Sequence, residues 1–379
     1  MGWHVLVYVI PPFLFVLTMI VFFHELGHFL VARWCGVSVK AFSLGFGREI
    51  AGFTDRHGTR WKFSILPLGG YVQFMDDDNA TSVPTGNQYE DGARDHDPGR
   101  FHTKPLWQRA AVVAAGPIAN FLLAIVIFAG VYMAVGERTR AARVDSVVEN
   151  SAAAEAGFKP GDVILSIDGE TVSRFRDLVR IVTAAADREL TFQVERDGQP
   201  IVLKATPRRQ EIVDRFRNKY KQGRLGVGQT ANASERELKS VGPIRAIRLG
   251  AEDTYYFTGR TLGFIRDLFL GKEDIKQLGG PIRIAKVSGD FATLGFQALI
   301  QIVAVLSISI GLLNLFPVPM LDGGHLLFYG IEAIRGQPLS EKAQEVGFRI
   351  GLTMVIMLMI FTTSMDLTQI PEWIQNWLS

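Results

Sequence analysis

Four charge-free apolar runs constrain this chain more than any other feature. They are Val5–Phe23, Ala110–Gly136, Gly295–Met320 and Gly351–Met365. A helix needs about 20 apolar residues to cross a bilayer. The first three runs are of that order, and the fourth reaches it when Val346–Ile350 is added. The pattern predicts a polytopic α-helical membrane protein with about four transmembrane helices. The first run reads as a retained span and not a cleaved signal: no charge precedes His24, and no small-residue cleavage site follows the run. A net charge of +2 gives no electrostatic footprint for nucleic acid, so no nucleic-acid partner is expected. The single cysteine, Cys35, excludes an internal disulfide and a cysteine-rich metal site.

Two polar inserts separate the runs. In the first, Val37–Phe42, Trp61–Ile65 and Tyr71–Phe74 alternate in strand fashion, with glycine-bearing turns at Gly45-Phe46-Gly47 and Gly69-Gly70. This predicts a membrane-associated antiparallel sheet, followed by a mobile acidic loop over Asp76–Gly99. The second insert begins as a compact α+β domain. Asp162–Ile167 is a strand closed by Asp168-Gly169, Arg174–Ala185 a helix, and Leu190–Arg196 with Ile201–Ala205 a hairpin around Asp197-Gly198. Pro207–Arg224 reads as a charged linker. Pro243–Phe269 is amphipathic, suited to lying on the membrane surface or to packing on the small domain. The expected organisation is span one over 1–32, the β-rich segment and acidic loop over 33–106 and span two over 107–136. The α+β domain then takes 137–208, linker and amphipathic segment 209–293, a broken span three 294–334, and span four with its tail 335–379. Basic residues near the span ends, Arg33, Lys40, Arg48, Lys104 and Arg109, then Arg335, Lys342 and Arg349, put those loops on the cytoplasmic side. The α+β domain then faces outward, although Arg138, Arg140 and Arg143 oppose that orientation.

Chemistry concentrates at the end of span one. His24-Glu25-Leu26-Gly27-His28 is an H-E-x-x-H pattern. On a helix, residues four apart differ by about 40° around the axis, so both imidazoles can hold one zinc ion while Glu25 stands beside them as a base. A hydrolytic zinc takes three protein ligands and leaves a position for water. Asp322 is the candidate third ligand. It lies in Asn314–His325, where Pro317, Pro319, Gly323 and Gly324 must interrupt a helix. Irregular backbone at membrane depth is tolerated where it is buried in protein or lines a cavity. The competing reading of Asp322 is a cap for the helix that follows.

Together, His24–His28, Gly116-Pro117-Ile118-Ala119-Asn120 and Asn314–Gly324 match the H-E-x-x-H, G-P-x-x-N and N-x-x-P-x-P-x-L-D-G patterns. The chain resembles the site-2 protease family of intramembrane zinc metalloproteases, in the bacterial regulator of sigma-E protease subgroup. The resemblance implies Zn2+ held by His24, His28 and Asp322, with Glu25 and Asn314 catalytic, Asn314 at the oxyanion. It implies that Gly116 and Asn120, grouped with the substrate-binding residues, shape the helix contact near the site, and that the substrate is held by a sheet edge whose turns hold Gly45, Phe46, Gly47, Gly69 and Gly70. It also implies a bacterial inner-membrane location, with the active site near the cytoplasmic side. The substrate would be a single-pass membrane protein such as a pre-trimmed anti-sigma factor, or a remnant signal peptide. The α+β domain resembles a PDZ domain over Ala156–Gly169, which would face the periplasm and take a peptide or new C-terminus by strand addition. One such module is found where the subgroup carries two. An idle membrane scaffold presenting a PDZ domain is the rival reading.

Overall fold

The computed structural model describes residues 5–75, 99–138, 142–172, 175–213, 219–228, 238–271, 275 and 278–378. The acidic loop expected over Asp76–Gly99 lies, apart from Gly99, outside the described residues. The chain forms two compact units, Met1–Val131 with Ile244–Ser379, and Tyr132–Pro243.

In the first unit, the described residues contain four helices long and apolar enough to cross a membrane: Val7–Trp34, Leu106–Val135, Phe296–Asn314 and Lys342–Thr368. The chain is a polytopic helical membrane protein with an inserted β-containing domain. Helix α1 (Ile10–Trp34) has proline in its first turn, where an absent N–H costs nothing, and ends before Gly36 at φ +69°. Strands β1 (Val39–Thr54) and β2 (Arg60–Phe74) then fold against it. Their register doubles back. Ala41–Leu44 pair with Gly70–Gln73 on one side and with Arg60–Phe63 on the other, and Glu49–Thr54 pair with Arg60–Ser64. Four segments therefore lie side by side, with Ala41–Leu44 inside and Gly70–Phe74 along one edge. Phe42 and Ser43 are buried accordingly. The sheet is fastened to α1 by Arg33, which donates to Asp55 at 2.9 Å, and by the rings of Phe29, Phe42 and Trp61.

Helix α2 (Leu106–Val135) crosses α1 closely: a Cβ on Gly27 would lie 2.3 Å from the Ala115 carbonyl. The second unit then intervenes. Short strands β3 (Glu137–Arg138) and β4 (Ser146–Val147) precede helix α3 (Ala152–Glu155), which Ser151 caps through the Ala154 N–H. Strands β5 (Val163–Ile167) and β6 (Glu170–Thr171), helix α4 (Phe175–Ala184), and strands β7 (Leu190–Arg196) and β8 (Gln199–Ala205) follow. They give a four-stranded sheet in the order β6-β5-β7-β8. Ile164, Ile167, Leu178, Leu190 and Phe192 form its core. The segment expected as a charged linker instead forms β9 (Arg208–Val213) and β10 (Lys219–Arg224), paired antiparallel. Strand propensity in Gln210–Val213 and Tyr220 outweighs the charges, because exposed strands tolerate charge on both faces. Strands β11 (Val227–Gly228) and β12 (Leu238–Lys239) return to β4 and β3, so the unit extends past 208 to Pro243.

A buried carboxylate, Asp162, ties the turn before β5 to β7. Asp162 is 1% exposed and receives Nε and Nη2 of Arg196 at 2.7 and 2.8 Å, and the Lys159 N–H at 2.8 Å. Burial alone pushes its pKa up. The Arg196 guanidinium and the Lys159 amide outweigh that and hold it below the usual carboxylate range. A depressed native pKa contributes stability at neutral pH that fades as pH falls through that value. Asp162→Asn is expected to destabilise the unit by about 3 kcal/mol at neutral pH, the cost of breaking a shielded ion pair; Arg196 keeps only its bond to the Gly157 carbonyl. Hydrogen exchange of β5 and β7 in the full chain should show faster opening in the variant, and the gap should close in acid, where the wild-type carboxylate is also neutral.

Helix α5 (Pro243–Phe269) belongs with the membrane unit. Gly250 sits against the Ile125 carbonyl of α2 and Phe257 stacks on Phe128. It therefore packs along span two. Helix α6 (Pro281–Thr293) leads to α7 (Phe296–Asn314), a break, α8 (Asp322–Arg335) and the long α9 (Glu341–Leu378). Asp366 of α9 is buried and accepts from the N–H groups of Gly280 and Arg283, satisfying free donors at the start of α6.

Candidate metal centre

The break between α7 and α8 is built by its sequence. Pro317 and Pro319 cannot continue a helix, and Met320 stands at φ +95°, a conformation that favours glycine. Gly323 and Gly324 touch the carbonyls of Leu315, Phe316 and Val318, closer than any side chain allows. Leu321, extended, is the N-cap of α8 and Asp322 its first helical residue. Asp322 is thus not the cap. Its carboxylate faces α1.

There it meets both histidines. Nε2 of His24 and Nε2 of His28 lie 3.2 Å apart. Asp322 Oδ2 is 3.2 Å from the first and Oδ1 is 3.5 Å from the second. Among the described residues this is the one cluster of three such donors. A tetrahedral zinc with bonds of about 2.0–2.1 Å places its ligand atoms about 3.3 Å apart, which this triangle fits. Asp322 Oδ2 is buried with no hydrogen-bond partner, as expected of an oxygen that needs a cation. Three protein donors leave one position for water. His28 Nδ1 lies 2.8 Å from the Val112 carbonyl, so its proton is there and the Nε2 lone pair faces the triangle.

Glu25 is absent from the donor triangle. Its carboxylate has the Val72 backbone as a polar neighbour, and a Cβ on Gly70 would lie 3.2 Å from its Cγ. The edge segment Gly70–Phe74 therefore runs beside Glu25. Asn314, the last residue of α7, brings Nδ2 to 3.4 Å from His24 Nε2.

The profile of peptidase family M50 matches residues 12–358. The chain belongs to peptidase family M50. A Rhizobium meliloti protein bearing the name "Putative zinc metalloprotease" is 47% identical over 98% of this chain and 97% of its own. A Brucella suis protein of the same description is 48% identical over 96% of each chain. Metalloprotease MmpA of Caulobacter vibrioides is 38% identical over 94% of each.

In this M50 chain the G-P-x-x-N residues serve the histidines. Asn120 is fully buried. Its amide nitrogen is 3.3 Å from His24 Nδ1, and its Oδ1 is buried without a partner. Turning the amide about Cβ–Cγ gives the Nδ1–H an acceptor and leaves Nε2 for a metal. Gly116 is likewise buried against both imidazoles: a Cβ there would lie 2.2 Å from His28 Nε2. The turn glycines divide. Gly45 (φ +90°) abuts the Leu66 carbonyl, Gly47 (φ +91°) abuts Ile65, and Gly69 (φ +130°) abuts the Phe46 ring. Turn geometry and close approach account for these three, whereas Gly70 borders Glu25. Phe46 stacks on Tyr71 with its ring partly exposed. His325 lies 5.3 Å from Phe348 and outside the donor triangle. The Val112 carbonyl carries no signal in sequence.

Removing the Asn120 amide tests its role. Asn120→Leu, close in volume, is expected to weaken zinc binding about 10- to 100-fold, the usual cost of losing an outer partner of a metal-bound histidine. Chelator competition on the purified full chain measures it.

Proposed function

We propose that this M50 chain is a zinc-dependent endopeptidase that cuts single-pass membrane proteins within the bilayer. One observation carries the reading: three donors at zinc spacing converge between helices apolar enough to span a membrane. His24, His28 and Asp322 would hold the ion. When bound, zinc acidifies a water molecule and polarises a carbonyl. Glu25 takes the proton of the attacking water and delivers it to the leaving amine. Asn314 donates to the oxyanion through Nδ2. The substrate must first lose its helical hydrogen bonds, and the sheet edge beside Glu25 replaces them by strand addition. Ile50, Phe53, Phe63, Ile65 and Leu66, exposed on the sheet, favour a lipid-seated position for it.

In this reading the second unit is a single PDZ-like module on the periplasmic side of the bacterial inner membrane, binding a peptide or new C-terminus, and the metal centre is near the cytoplasmic side. Substrates are single-pass proteins such as a pre-trimmed anti-sigma factor, or remnant signal peptides. The test uses purified full chain in lipid vesicles with a single-pass reporter truncated on its outer side. Cleavage inside the reporter's span, stopped by a zinc chelator and restored by zinc, is the expected result. A panel of such reporters left uncut by zinc-loaded protein would overturn the reading and favour an idle scaffold.

A further inference from the structure

We propose that Arg109 and Glu332 form a positioning pair that sets Asp322 against the two histidines. The inference rests on the metal-site reading above. Asp322 opens α8, and Glu332 lies ten residues on. The Glu332 carboxylate accepts Arg109 Nη2 at 2.5 Å and Nη1 at 3.2 Å. The two side chains are 14% and 16% exposed. Arg109 Nε donates to the Lys104 carbonyl at 3.2 Å, and the guanidinium carbon stands 5.0 Å from the centre of the Tyr329 ring. Exposed ion pairs contribute little, but a shielded two-point pair with a stacked ring fixes direction as well as distance.

The place of the pair gives it a role. Arg109, Val112, Gly116 and Asn120 recur at three- and four-residue spacing, which puts them on one stripe of α2. Val112 orients His28 and Asn120 orients His24. Through Arg109 the same stripe reaches the helix that carries the third ligand. That helix takes its direction from contacts beyond α7, this pair and the packing of His325 and Phe328 on Phe348 of α9, because Leu315–Leu321, with two prolines and Met320 at φ +95°, uncouples it from α7. A helix rises 1.5 Å per residue, so Glu332 is about 15 Å from Asp322 along the axis, and a tilt of about 4° about Glu332 moves Asp322 by about 1 Å. Ligand distances tolerate only about 0.2 Å. A small loss of alignment at the pair is therefore a large one at the metal.

The experiment reads metal binding, not proteolysis. Full chain in detergent is titrated with zinc against a chelator, and the visible spectrum of cobalt(II)-loaded protein reports ligand geometry. Arg109→Gln and Glu332→Gln are each expected to weaken zinc binding about tenfold and to alter the cobalt bands. The double variant should lose no more than either single one. The reversed pair, Arg109→Glu with Glu332→Arg, should recover part of the affinity. Arg109→Lys, which keeps the charge and loses the two-point geometry, should fall between, and serves if the Gln variants fail to fold. Arg248→Gln, breaking an exposed pair with Glu252, should change nothing. Unchanged affinity and cobalt bands in the Arg109 and Glu332 variants would overturn the proposal. A wild-type chain that takes up no zinc would overturn the metal-site reading, and this pair's role with it.

Discussion

Glu25→Gln is expected to leave one zinc bound per chain and to reduce cleavage of a single-pass reporter by about 10²- to 10⁴-fold, the usual share of a positioned general base. The dissociation between metal and turnover follows from the site. Glu25 stands outside the donor triangle, so its charge is not needed to hold the ion. Gln is nearly isosteric, so the contacts with Gly70 and the Val72 backbone survive in outline, but an amide cannot accept the proton of an attacking water. His28→Ala should instead lose metal and activity together. Zinc content and initial cleavage rate, measured on the same preparations, separate the two patterns. Loss of zinc in Glu25→Gln would place Glu25 among the ligands, and unchanged turnover would remove it from the chemistry.

What the sequence reveals of this molecule depends on how local each signal is. The four membrane helices are legible because twenty apolar residues without a charge have few other uses in a folded chain. His24, Glu25 and His28 are legible because a single helical turn sets their relation. Asp322 is legible only by complementarity: a half-site that lacks a ligand, and a broken helix that offers one. The partners of the histidines are not legible in the same way. The Val112 carbonyl has no side-chain signature, and the pairing of Arg109 with Glu332 joins residues far apart in the chain. Asn120 was visible as a motif residue, but its direction, inward to His24, depends on how α2 crosses α1. The β9–β10 hairpin was hidden because charge density in Pro207–Arg224 resembles a linker, while exposed strands carry the same composition. Asp366 was hidden for a related reason. A carboxylate near the end of an apolar helix resembles an interfacial residue until the start of α6 is seen against it.

The metal centre also has a steric requirement, and it gives the second large effect. Gly116→Val is expected to abolish stoichiometric zinc binding, with an affinity loss of at least about 100-fold. A Cβ at this position would lie 2.2 Å from His28 Nε2, 2.5 Å from its Cε1 and 2.8 Å from His24 Cε1. Contact between carbon atoms begins to be repulsive well outside those distances, near 3.5 Å. The imidazoles cannot simply yield. His28 is held from behind by the Val112 carbonyl and His24 by Asn120, while α1 is pinned to α2 where Gly27 meets the Ala115 carbonyl. The new side chain must therefore rotate both ligands off the donor triangle or part the two helices. Gly116→Ala adds one methyl group and should fall between wild type and Gly116→Val. Gly130→Ala is the matched control: it lies on the same helix, and a Cβ there meets nothing within 4 Å. That variant should keep full zinc affinity and gain slightly in helix stability, by about 0.5–1 kcal/mol. Zinc titration of all three variants, with helix content followed by circular dichroism, decides the matter. If Gly116→Val binds zinc as the wild type does, the histidines are not held as tightly as the hydrogen bonds of Val112 and Asn120 require, and the case for α2 as the template of this site fails.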